Sequence, residues 1–147
     1  VDFVRRRTLL EKRDTAETLR AAFRGESPLT DDRVKLALTT RLLRFRREHA
    51  ELARRGEYMP LLADTSGVFA FARRARAEVC IVLVRTRVPG SDDVPAGGTP
   101  AILPHELAGR WRSILTDRAL AIAPGATAIR DLLPVGQPAE AFVASHG

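Results

Sequence analysis

The residues of this chain that could do chemistry by type do not stand at spacings that would let them do it together. His49, His105 and His146 are scattered, and no cysteine or carboxylate lies at metal-ligand separation from any of them. No metal and no cofactor is therefore expected. Asp92-Asp93 has the form of a paired acid and base. It lies in Pro89–Gly98, a stretch with two prolines and three glycines, and no apolar run adjoins it to shift a carboxyl toward neutrality. Solvated loop carboxylates are the simpler reading. Cys80, the single cysteine, sits inside the apolar run Val79–Val84 and reads as a small buried residue. No glycine-rich phosphate loop and no nucleophile elbow occurs.

Two features could bind rather than react. Trp111 between Arg110 and Arg112 has the chemistry to stack on a sugar ring or a base, although alternation along a strand would turn it into the core. The arginines of residues 30–56 could grip phosphates. Asp31, Asp32, Glu48 and Glu51 are interleaved with them and few aromatics accompany them, which favours a solvated or carboxylate-paired face. The nucleic-acid-binding and carbohydrate-binding readings are therefore kept as alternatives, with neither preferred.

The charge sharpens this. The chain of 147 residues carries a formal charge of +6, with 24 basic and 18 acidic side chains. Residues 1–55 hold 15 basic and 9 acidic groups, and residues 56–147 hold 9 of each, so the excess lies wholly in the front third. Only Lys12 and Lys35 are lysines. Arginine suits bidentate pairing with carboxylates more than a diffuse cationic surface does.

These side chains must be positioned by two kinds of element. Asp14-Thr15-Ala16-Glu17 has capping-box spacing, and Leu19, Ala22 and Phe23 carry an apolar face to a stop at Gly25. A helix before it, capped by Asp2, would run through residues 3–13. Thr30 is read as the next N-cap, followed by Asp31 and Asp32 at the positive end of the helix dipole. Val34, Leu38, Leu42, Phe45, His49 and Leu52 recur at spacings of three and four, predicting one long helix over about 31–55 that ends at a C′ glycine, Gly56. His49 then packs at a domain junction.

After Gly56 the period changes to that of strands. Residues 57–62, Gly67–Arg73, Glu78–Arg87, Arg110–Leu115, Ala119–Ala123, Thr127–Leu133 and Ala139–Ala144 alternate with turns at 74–76 and 116–118. The expected fold is α+β: N-terminal helices, taken as the end of a barrel's helical layer, followed by a small antiparallel β-sandwich. The division falls between a helical segment, 1–56, and a sandwich domain, 57–147. The longest apolar run has six residues, too short to cross a bilayer, and a lone cysteine fits a reducing cytoplasm. The opening Val-Asp-Phe-Val lacks an initiator, so the chain is expected to be part of a longer one.

The wording of the long helix resembles the C-terminal region of the maltooligosyltrehalose synthase family, within the α-amylase-type glycoside hydrolase superfamily. The resemblance rests on Asp31–Leu36, Arg41–Arg47, His49–Leu52 and Gly56–Leu61. It continues through Val68–Arg73, Leu107–Arg112, Leu115-Thr116 and Leu132–Val135, with Val1–Phe3, Arg5–Arg7 and Leu9-Leu10 in front. Ala37, Ala50 and Asp117 depart from it, standing where the family pattern has a tryptophan, a proline and a glycine. The resemblance implies an isomerase that moves the reducing-end α-1,4 bond of a maltodextrin to α,α-1,1 by intramolecular transglucosylation, in trehalose biosynthesis. Such retaining chemistry uses two carboxyl groups. Here they would belong to a catalytic barrel outside this chain, so this region would have no catalytic residue. That barrel would be its partner, and maltodextrin would reach it through the parent enzyme; neither a membrane nor nucleic acid is expected. Asp2, Arg6 and Lys35 are the positions the resemblance places nearest the substrate.

Overall fold

The computed structural model describes residues 14–61, 67–86, 100–134 and 136–144. The helix expected over 3–13, the loop Pro89–Gly98 with Asp92-Asp93, and His146 lie outside them.

Asp14 caps helix α1, Thr15–Phe23, accepting hydrogen bonds from the Ala16 and Glu17 backbone N–H groups at 2.8 and 3.3 Å. This satisfies donors that the first helical turn cannot pair internally. At the other end Gly25 adopts φ 78°, and the Gly25 and Glu26 N–H groups bond back to the Ala22 and Ala21 carbonyls. A glycine accepts that left-handed turn without steric cost, and the helix stops there as expected.

The long helix differs from expectation in three ways. Its cap is Asp31, not Thr30: the Asp31 carboxylate accepts from Arg33 N at 2.8 Å and forms a further contact with the Arg33 guanidinium. It is also broken, into α2, Asp32–Glu48, and α3, Ala50–Arg55, by His49 at φ −115° and ψ 52°. The imidazole Nδ1 lies 2.7 Å from the Glu78 carboxylate and the ring stacks on Phe45, so the break falls where the helix is tied to the sheet. Gly56 ends α3 at φ −56°, outside the left-handed region. Its role is closeness: a Cβ there would sit 2.5 Å from the Leu52 carbonyl oxygen.

Strands β1 (Glu57–Pro60), β2 (Val68–Ala75), β3 (Glu78–Arg85), β4 (Pro100–Leu103), β5 (Gly109–Ser113), β6 (Ala119–Ile122), β7 (Gly125–Ala128) and β8 (Ala139–Ala144) follow. A one-turn 3-10 helix, His105–Leu107, precedes β5, and a short helix α4, Ile129–Leu132, occupies part of the stretch read as strand over Thr127–Leu133. The six-stranded sheet has the order β1-β2-β3-β8-β5-β6, and β4 pairs with β7 separately. Every pairing among these strands is antiparallel. The architecture is thus α+β, helices first and antiparallel sheet after. The two strand layers are unequal, a six-stranded sheet and a two-stranded ribbon, an arrangement compatible with a sandwich.

Alternation decides what each face holds. Ala70, Ala72, Ile81, Leu83, Trp111, Ile122 and Phe142 point to one side and cluster with Leu103 of β4, Leu107 of the 3-10 helix, and Leu132 and Leu133. Burying a side chain such as Phe142 in this way contributes about 1.5–3 kcal/mol. Leu19, Ala22, Val34 and Ala37 form a second, smaller cluster between α1 and α2, and Leu115 from the turn between β5 and β6 inserts into it. One leucine therefore joins the two parts of the fold.

Candidate functional site at the junction of helices and sheet

The densest polar arrangement lies where the β5–β6 turn meets the helices. Ser113 Oγ accepts from the Leu115 and Thr116 backbone N–H groups at 3.1 and 2.8 Å and donates to Glu140 Oε1 at 2.7 Å. Gln137 Nε2 donates to Glu140 Oε2 at 2.9 Å, and the Ala141 N–H to Oε1 at 2.9 Å. Glu140 is 1% exposed, so this carboxylate is held by neighbours rather than by water. Its position follows from the register, since residue 140 of β8 pairs with Leu83 on the core-facing side. Nothing but an acidic residue at a core-facing strand position signals this group in the sequence, and sequence reasoning missed it.

Arginines tie the surrounding backbone. Arg41 of α2 donates from Nε to the Ile114 carbonyl at 2.6 Å and pairs with Asp117. Arg20 of α1 donates to the Thr116 carbonyl at 3.0 Å. Arg118 bonds the Asp131 and Leu132 carbonyls at 3.1 and 2.7 Å and lies over the Phe142 ring. Arg73 joins β2 to the Ala53 and Gly56 carbonyls at 2.9 Å each, and Arg85 reaches the carbonyls of Leu133, Pro134 and Gln137 at 3.2 Å. A planar guanidinium with five donors can satisfy several carbonyls left over at turns and helix ends. Within residues 30–56, Arg44, Arg46, Arg47 and Arg54 are exposed and Arg33 and Arg55 pair with Asp31 and Glu51, as expected, while Arg41 binds backbone as well as a carboxylate.

An open cleft of about 330 Å³ lies beside this turn, lined by Arg20, Phe23, Arg24, Arg118, Pro134 and Gln137 among others. Its arginines are engaged: Arg24 binds Glu17 and Glu26, and Arg20 binds Glu17 as well as Thr116. The hydrogen bonds from Arg24 and Arg20 hold the Glu17 carboxyl below its usual range, and that from Arg24 does the same for Glu26. The cleft therefore offers no uncommitted charge to a ligand. Burial pushes the Cys80 thiol up, away from the reactive thiolate.

The pair His49 and Glu78 has the orientation of a base and its carboxylate, yet among the described residues no hydroxyl or thiol bonds the imidazole. Its two partners sit on different elements, so its action here is to fasten α2 and α3 to β3. Among the described residues no group of three or more potential metal ligands is brought together.

Lys35 is exposed on α2, with its carbonyl accepting from Thr39 Oγ1. Asp2 and Arg6 lie outside the described residues. Trp111 is 3% exposed and donates from Nε1 to the Leu107 carbonyl at 3.0 Å, so it belongs to the core and the carbohydrate-binding reading built on it is corrected. No described helix is long and apolar enough to cross a membrane. Compared with protein-family models, with curated proteins and with solved structures, the chain finds no match.

Proposed function

We propose that this chain is the noncatalytic C-terminal part of a cytoplasmic enzyme of the maltooligosyltrehalose synthase type, contributing a docking surface and a rigid cap rather than reacting groups. The observation that carries the reading is the second face of α2. Val34 and Ala37 are buried against α1, while Leu42 and Leu43 on other sides of the same helix are 42% and 57% exposed. A helix fixed to its own sheet by Arg41 and His49 needs no further apolar side chains. Exposed leucines beside Lys35, Arg46 and Arg47 fit a surface that another body covers.

The segments that carry the family resemblance also fall on elements that act together. Asp31–Leu36 begins α2, Gly56–Leu61 enters the sheet, and Leu107–Arg112 carries Trp111, whose Nε1 donates to the Leu107 carbonyl, into the core. Incubation with maltopentaose tests the reading. The chain alone is expected to form no nonreducing product, and coexpression with a catalytic barrel of this enzyme class is expected to yield a stable complex. Turnover by the chain alone, or failure to associate with the barrel, would count against it.

A further inference from the structure

Charge is distributed unevenly along α2. Between Asp32 and Glu48 the sequence has no carboxylate, while Arg33, Lys35, Arg41, Arg44, Arg46 and Arg47 stand there. Arg33 pairs with Asp31 and Arg41 with Asp117. Among the described residues the side chains of Lys35, Arg46 and Arg47 form no hydrogen bond or ion pair, and all three are exposed. Val34 and Ala37 fix the inner side of the helix against α1, so the helical repeat carries Lys35, Thr39, Leu42, Leu43 and Arg46 round to the outer side. Leu36, half-buried, lies two turns before Leu43 on the same side. Thr39 and Thr40 turn their hydroxyls to the Lys35 and Leu36 carbonyls at 2.8 Å each. The hydroxyls between the leucines are thus satisfied within the helix. The middle of this face is apolar, and its margins carry cations.

From this pattern we infer that the outer face of α2 docks an acidic amphipathic helix of a protein partner. Leucines of that helix cover Leu36, Leu42 and Leu43, and its flanking carboxylates pair with Lys35, Arg46 and Arg47. Apolar anchors one and two turns apart are how a helix presents itself to another body. Charges beside such a seam then choose the partner by sign. Three other occupants fit less well. A phosphate backbone would suit the arginines but would leave the exposed leucines against polar sugar and phosphate, and Phe45, the ring of this helix, is stacked on His49 and takes no base. A bilayer surface calls for a broad apolar face with aromatic residues among the leucines. A second copy would set Lys35, Arg46 and Arg47 against their own kind, with no carboxylate between Asp32 and Glu48 to answer them. The inference rests on α2 being the docking surface of the function proposed above, and it gives the chemistry of what docks there.

The experiment is anisotropy titration of labelled peptides with the whole chain. One peptide is a synthetic helix with leucine at the a and d positions of each heptad and glutamate on the flanks; the other has lysine in place of glutamate. The acidic peptide is expected to bind, more weakly as salt is raised, and the basic one is not. Arg46→Glu with Arg47→Glu, and separately Leu42→Ser with Leu43→Ser, are each expected to weaken acidic-peptide binding roughly tenfold, with helical ellipticity and thermal melting unchanged. Arg110→Glu, a charge reversal at an exposed position of β5, is expected to leave binding as it was. No binding of the acidic peptide, equal binding of the basic one, or binding that survives either pair of substitutions would overturn the inference. So would heparin or phosphatidylglycerol vesicles that bind more tightly than the acidic peptide and lose binding with Arg46→Glu and Arg47→Glu. A barrel that does not associate with the chain would sink the function proposed above while the peptide result stands. A peptide that does not bind would sink this inference while barrel association stands.

Discussion

Arg41, in the middle of α2, pairs with Asp117, which holds φ 61° in the β5–β6 turn, and the same guanidinium bonds the Ile114 carbonyl. One arginine therefore fixes both a turn and the distance from helix to sheet. Asp117 also bonds Arg112 at 3.2 Å, so its carboxylate is shared between α2 and β5. The insertion of Leu115 between Leu19, Val34 and Ala37 depends on that turn staying in place.

Arg41→Ala is expected to cost about 2–3 kcal/mol, because it removes charge-assisted hydrogen bonds from a partly buried side chain and leaves their acceptors behind. Asp117→Gly sets two effects against each other. Glycine relieves the left-handed backbone, but aspartate tolerates that region, so the relief is below about 1 kcal/mol. Loss of the pairing with Arg41 outweighs that relief, and the variant is expected to be destabilised by about 1 kcal/mol. Urea midpoints of both variants and their double mutant measure this. An Asp117→Gly protein more stable than the parent, or strict additivity of the two changes, would show that the pair does not couple helix to turn.

The outline of this fold was readable because its signals are local. Asp14 and Gly25 bound α1 through backbone groups two to four residues away, and Val79–Val84 reads as a central strand from its own composition. The break at His49 was not readable: its partner Glu78 is 29 residues away, and the apolar spacing continues through it to Leu52. The carbonyl-binding roles of Arg73, Arg85 and Arg118 depend on turns and strand pairs that meet only in the folded chain. Trp111 shows the opposite case, since strand alternation favoured the core and the core holds it. The exposure of the Tyr58 and Phe69 rings was hidden for a similar reason. Strand formers look alike in sequence whether a second layer covers them or not.

Glu140→Gln tests the buried network. The glutamine amide would turn a donor toward Ser113 Oγ, Gln137 Nε2 or the Ala141 N–H, all of which donate to the carboxylate. A mismatched buried donor costs about 1–3 kcal/mol, and for a domain of this size each kcal/mol lowers Tm by about 2–4 °C. A fall of several degrees is expected, and Ser113→Ala, which leaves the Leu115 and Thr116 N–H groups without that acceptor, is expected to give a comparable one. An unchanged melting temperature for Glu140→Gln would show that the hydrogen bonds to this carboxylate do not stabilise the fold.

Acid should loosen α1 first. Hydrogen bonds from the Ala16 and Glu17 N–H groups lower the Asp14 carboxyl from its ordinary 3.8, and bonds from Arg24 lower Glu17 and Glu26 from 4.5. A depressed carboxyl stabilises the fold above its unfolded value and loses that contribution as pH falls through the folded value. Helical ellipticity and urea midpoint are therefore expected to hold from pH 7 to about 5 and to decline below about 4.5. These groups are fully exposed, so raising the salt should flatten the decline. A midpoint that rises on acidification from pH 5 to about 3 would contradict the assignment.

The two sides of the helical segment should respond oppositely to mutation. Leu52 of α3 is fully buried, so Leu52→Ala is expected to cost about 2–5 kcal/mol through lost transfer energy and the cavity left behind. Leu42 and Leu43 face outward, and replacing both by serine is expected to leave the urea midpoint within about 0.5 kcal/mol per site. If that outward face meets a catalytic barrel, the same pair of substitutions should abolish association with it, although the chain itself folds normally. Pull-down of the coexpressed barrel, read beside the unfolding curve, separates the two effects. Association that survives Leu42→Ser with Leu43→Ser would place the partner elsewhere, whereas a collapse in stability would show the leucines belong to this chain's own core.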